Sequence, residues 1–194
     1  NNQNQEVIFI SFFGVVSATF FALWHLFLHW LSIFAAPVKE PEMFWIIIPI
    51  WFNWFFTEFF QEKKGTSFGN AISNGAIAIL ASIDWTRYMH RLIADGVITK
   101  FTFGVFLKFF TAFAVFAYGV YVIAAGIKTK KIVFFIGKIR WVTYILVMFT
   151  PIVYNVIRMD FYTLMAILVF FPLYYWVIEI FDRITPEPRT YQHS

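Results

Sequence analysis

The sequence predicts an all-α integral membrane protein, a single bundle of six transmembrane helices spanning residues 1–194. Three observations carry that prediction. The chain is 60% hydrophobic and only 13% charged, where soluble globular domains carry about 25% charged residues. Its charges cluster between apolar runs long enough to cross a bilayer. Inside those runs stand isolated polar side chains such as Asn53, Glu58 and Asn74. Polar groups at membrane depth are costly and face protein or a water-filled cavity.

Span 1 is expected over 7–36. The polar start, Asn1 to Glu6, has no Lys or Arg, and the apolar run after it exceeds a signal-peptide core, so the span is expected to be retained. Thirty helical residues measure about 45 Å, so the helix must tilt or lay its last turns in the interface. Trp30 reads as an interface marker. Gly14, Ala18, Ala22, His25, His29, Ser32 and Ala36 form a small-and-polar stripe expected to face the bundle.

Span 2, 43–60, follows a hydrophilic turn and carries Pro49, which should kink it. A break at 61–67 holds Lys63 and Lys64. Span 3, 68–83, is short and the richest in Gly, Ser and Asn. Irregular or short backbone survives at membrane depth only when covered. Span 3 should therefore sit inside the bundle, with Asn70 and Asn74 toward Asn53 or the His25/His29 stripe.

Residues 84–95 put Asp84, Arg87 and Arg91 on one helical side and Trp85, Tyr88, Met89 and Leu92 on the other. That pattern predicts an interfacial amphipathic helix ending near Asp95-Gly96. Span 4 is 101–127, with Lys108 two turns in and expected to snorkel outward. The most basic link, 128–140, leads to span 5 at 141–157. Arg158-Met159-Asp160 turns the chain into span 6, 161–181, before a polar tail, 182–194. Nine Lys and Arg fall on the side of the termini and five on the other, which places both termini in the cytoplasm.

A shift of 102 residues aligns Pro49-Ile50-Trp51-Phe52-Asn53 with Pro151-Ile152-Val153-Tyr154-Asn155. Nine residues after each proline comes an acid, Glu58 or Asp160, then two aromatics. Two three-span units related this way would enter the membrane in opposite senses, the inverted-repeat plan of many transporters.

Two constellations could carry chemistry. Asn53, Glu58, Asn70, Asn74 and Asn155 offer amides and a carboxylate for a polar solute or ion. His25 and His29 stand at i and i+4, a chelating spacing, and His90 and Asp84 are expected on the same side. A metal ion or haem there is the cofactor alternative; nothing in the sequence requires either. The chain has no cysteine, which excludes thiol catalysis and disulfides. No P-loop, G-x-G-x-x-G or G-x-S-x-G occurs, so nothing points to an enzyme. The net charge of +4 sits in short loops, where it sets topology and does not indicate nucleic-acid binding. The expected function is a transporter, permease or channel with a polar site between spans 1, 2, 3 and 5. The alternatives are a metal- or haem-bearing oxidoreductase subunit and an assembly subunit. The expected partners are the bilayer and a second copy or larger membrane complex.

Overall fold

The computed structural model describes residues 2–62 and 65–185, with side chains from residue 14 onward. The expectations for Lys63, Lys64 and the tail beyond residue 185 lie outside the described residues. Every regular element among the described residues is helical. Helix α1 (Asn2–Phe34) leads through one turn, α2 (Ala36–Lys39), and a 3-10 turn at Pro41–Met43 into α3 (Phe44–Phe56). Helix α3 passes through Pro49 and widens into a π turn, Thr57–Gln61. Then follow α4 (Phe68–Ala94), α5 (Phe103–Ile127), the short α6 (Val133–Ile136), α7 (Ile139–Val153) and α8 (Phe161–Ile184). Side chains cap three of these: Ser67, Thr102 and Asp160 each accept the backbone N–H three residues on, satisfying a donor that the first turn leaves open.

Among the described residues, four segments are long and apolar enough to cross a membrane: Gly14–Phe34, Pro41–Gln61, Phe103–Ile127 and Phe161–Ile184. Helix α7 is apolar but has 15 residues, and α4 carries Asp84, Arg87 and Arg91 near its end.

Helix α7 is the core of the bundle, with twelve of its fifteen residues buried. Helices α1, α3, α4 and α8 pack around it. Arg140 at its start reaches Glu58 near the end of α3 and Glu179 near the end of α8. Past its other end, Tyr154 reaches Asp84 in α4. Helices α3 and α8 therefore run opposite to α7, and α4 runs with it. Helix α5 packs against α4 backbone to backbone. A Cβ on Gly75 would lie 2.9 Å from the Gly119 carbonyl oxygen, and one on Gly119 would lie 2.7 Å from that of Gly75. Small residues permit this approach.

Several expectations are corrected. Residues 84–95 do not form a separate interfacial helix, because α4 runs unbroken to Ala94. Its apolar side is covered by protein: Trp85 and Met89 are fully buried, Trp85 Nε1 donates to Thr150 Oγ1 at 3.1 Å, and Tyr88 stacks on Tyr154 at 3.8 Å. The end itself falls as expected, with Gly96 at φ +71°.

The stripe on α1 faces the bundle only toward its end, where His29 bonds Thr163 and Ala36, just past α1, is fully buried. Gly14, Ala18, Ala22 and His25 are exposed, and the contacts come from Leu26, Trp30 and Ile33. Large side chains make more dispersion contacts than small ones, and here they pack against α8, with Phe27 and Trp30 both meeting Phe170. Trp30 is buried, donating to Tyr144 Oη at 3.0 Å, so it is no interface marker.

Helix α7 stops at Val153, four residues before the expected end of span 5. Asn155 takes φ +62°, its N–H bonds the Ile152 carbonyl, and the Val156 N–H bonds that of Pro151. This is a Schellman closure with Asn at the left-handed position. Lys108 does not snorkel outward; its Nζ donates to Asn155 Oδ1.

Candidate functional site

The polar residues gather where α3, α4, α7 and α8 meet at the start of α7. The π turn builds the first wall. Its Glu62 N–H bonds back five residues to the Thr57 carbonyl at 2.8 Å, and Thr57, Glu58 and Phe59 are all turned inward. Such turns insert one extra residue and re-aim side chains, often at functional sites. Glu58 is 3% exposed.

Arg140, in the first turn of α7, meets it. Its Nε donates to Glu58 Oε1 at 2.6 Å, Nη1 to Glu179 Oε2 at 2.8 Å and Nη2 to Asp182 Oδ2 at 3.4 Å. Its guanidinium carbon lies 4.9 Å from the centre of the Tyr175 ring. One planar cation therefore ties three helices together through its fork of donors.

Beside this pair runs an amide relay. Asn53 Nδ2 donates to Asn74 Oδ1 at 3.2 Å. Asn74 Nδ2 donates to Glu62 Oε1 at 3.0 Å and to the Gly137 carbonyl at 2.8 Å. The second bond exists because residue 137 lacks a side chain: a Cβ there would lie 2.6 Å from that of Ala71. The other Glu62 oxygen accepts the Thr66 hydroxyl at 3.0 Å and the Ile139 N–H at 3.4 Å. Glu62 thus serves α7 as an N-terminal cap lent by another segment, where the helix dipole favours a negative charge. Burial pushes its carboxyl above the ordinary range, while the bonds from Thr66, Ile139 and Asn74 pull it back.

Beside the relay lies a cavity of about 260 Å³, lined by Glu58, Glu62, Glu179 and Asp182 together with Arg140 and Lys138. Carboxylates outnumber cations, so the chamber suits a cationic or hydrogen-bonding guest.

Of the residues expected at a polar site, Asn53, Glu58 and Asn74 come together and the others do not. Asn70 spends its backbone N–H on the Ser67 cap, and its carboxamide makes no hydrogen bond among the described residues. Asn155 stands at the opposite end of α7 with Lys108. The convergence expected of His25, His29, His90 and Asp84 does not form. His29 Nε2 pairs with Thr163 Oγ1 at 2.9 Å, and His25 and His90 are exposed. Asp84 accepts from Arg87 at 2.7 Å and from the Tyr154 hydroxyl at 2.6 Å. Among the described residues, no three His, Asp or Glu side chains are grouped to hold a metal ion.

Arg140 and Glu62 are the residues that sequence reasoning missed, having been read as loop charges. The available signal was Glu179 and Asp182 at i and i+3, an acidic face on an apolar helix that calls for a buried cation. No family model matches the chain, and no curated protein or solved structure matches it either.

Proposed function

We propose that this chain is a six-span membrane transporter or channel in which the chamber beside Arg140 receives a small cationic or polar solute. The observation that supports this reading is the cavity itself: four carboxylates and two cations line one space, and the Asn53–Asn74 relay joins it through Glu62. The carboxylates do not close to metal-ligating distance, so the guest is an organic cation or a hydrated ion. Arg140 holds Glu58 neutralised and fixed, leaving Glu62 as the acid nearest the relay. Six crossings are supported by α4 running opposite to α3, α5 opposite to α4 and α8 opposite to α7. An inverted repeat is supported by the opposite senses of α3 and α7, which carry the matching prolines Pro49 and Pro151. The side bearing Arg140 is the cytoplasmic one on this reading, because Lys128, Lys130, Lys131 and Lys138 flank it.

The test is uptake of radiolabelled methylammonium, and separately of sodium ions, into proteoliposomes. Uptake above empty vesicles by the natural chain, lowered in Glu62→Gln, supports the reading. Flux equal in the natural chain, Glu62→Gln and empty vesicles would sink it.

A second reading, an assembly subunit or homodimer, is favoured by α1. Only 6% of its apolar window is buried, against 39% for Pro41–Gln61. Cross-linking from positions such as Phe20 in nanodiscs checks it: exclusively monomeric protein argues against a second copy there.

A further inference from the structure

We propose that the groove between α4 and α5 binds an anionic phospholipid, at a site separate from the chamber. The groove lies beyond the Gly75–Gly119 contact, toward the end of α4, and encloses about 780 Å³. Its lining is graded along the helix axes. Ile83, Phe113 and Phe116 form the inner part, and Arg87 and His90 stand nearer Ala94, where α4 ends. From Ser82 to His90 the groove follows α4 for about 12 Å. An apolar channel with a cationic mouth at one end matches an acyl chain below a phosphate.

Arg87 has a side chain 63% exposed and gives one terminal nitrogen to Asp84 at 2.7 Å, which leaves further N–H donors on the guanidinium. Asp84 is also held by the Tyr154 hydroxyl, so its charge is shared inward. Arg91 is engaged by Glu42 and does not line the groove. His90 is exposed beside Arg87. The hydroxyls of Ser82 and Thr86 donate to carbonyls of their own helix, so Arg87 and His90 supply the donors. An apolar helix from a second copy would cover the aromatics but press hydrocarbon on the guanidinium, at the cost of desolvating it. A phosphodiester offers oxygens that Arg binds through paired N–H bonds. Basic pockets between membrane helices hold anionic headgroups for this reason.

The test is native mass spectrometry of the full chain, released from detergent holding equal amounts of phosphatidylglycerol and phosphatidylcholine. The natural chain is expected to retain phosphatidylglycerol preferentially, by about five-fold through Arg87. Arg87→Gln with His90→Gln should abolish that preference at unchanged melting temperature. Ile83→Trp, which fills the groove from an exposed position, should reduce retention of phosphatidylglycerol with Arg87 and His90 intact. Equal retention of the two lipids by the natural chain overturns the proposal. So does a preference undiminished in the Arg87/His90 variant, which would assign it to the basic link 128–140. Loss of phosphatidylglycerol to free glycerol phosphate at matched concentration also overturns it, since the acyl chain would then contribute nothing.

Discussion

Pro49 to Phe60 and Pro151 to Tyr162 share a proline, an asparagine four residues on and an acid nine residues on. Their structures part at the asparagine. In the first window the helix continues through Asn53, widens at Thr57 and buries Glu58 against Arg140. In the second it closes at Asn155, and Asp160 becomes the exposed cap of α8. The intervening residues differ in kind. Trp54-Phe55-Phe56 extends an aromatic surface, with Trp54 and Phe55 both meeting Phe59. Val156-Ile157-Arg158 brings β-branched residues, which are weak helix formers, and a charge. A shared motif therefore fixes where polar groups occur along the chain, and the neighbours decide whether they are buried or capped.

The largest expected effect is at the buried acid. Arg140→Met leaves Glu58 charged and unpaired in the core, at a cost of about 3–5 kcal/mol, read as a fall in melting temperature in detergent. Glu58→Gln with Arg140→Met should recover most of that loss. The counterpart in the second window is Lys108→Met, which removes a cation from a neutral amide and should cost much less. Equal losses in the two would mean that the windows are energetically alike after all.

Next comes Asn74→Leu. Asn74 is fully buried and bonded to Asn53, Glu62 and Gly137. Leucine strands the Gly137 carbonyl and removes a donor from Glu62, an expected loss of about 1–3 kcal/mol. If Asn74→Leu melts like the natural chain but loses solute uptake, the relay serves the guest and not the fold.

Much of this was legible in the sequence. Apolar runs marked the helices, and scarce amides on two neighbouring runs foretold the Asn53–Asn74 contact, because a buried amide must find a partner. The partner of Glu58 was hidden: Arg140 is 82 residues away and is flanked by cationic residues that read as a loop. The burial of α1 before His29 was also misread, since small residues allow close packing but do not compel it. The end of α7 was present in the sequence as an asparagine after a helical run, followed by β-branched residues. The same residue at position 53, with aromatics after it, sent no such signal.

Asp160→Ala should cost about 1 kcal/mol, the ordinary value for a lost N-cap. The Thr163 N–H holds the Asp160 carboxyl below the usual range. The native state thus favours the charged form, so the stabilisation is complete above the unfolded pKa and is lost as pH falls through the native one. The gap in melting temperature between Asp160→Ala and the natural chain should be widest near neutral pH and close in acid. A gap independent of pH would assign the effect to packing, and Asp160 would then resemble Glu58 more than its exposure implies.

The smallest effect tests the asparagines themselves. Asn155 already has φ +62°, a conformation that glycine adopts without steric cost. Asn155→Gly gains there and loses some chain entropy and the acceptor for Lys108. Its net change should stay within about 0.5 kcal/mol, as for most exposed substitutions. Asn53→Gly meets the opposite conditions. Position 53 is helical, so glycine costs about 1 kcal/mol in propensity, and the bond to Asn74 goes with the side chain. Melting temperatures of the two variants, measured side by side, should therefore separate, with Asn53→Gly the lower. If they fall together, the Schellman closure at Asn155 carries more of the fold than its exposed position suggests. The second window would then owe its shape to the asparagine and not to the residues that follow it.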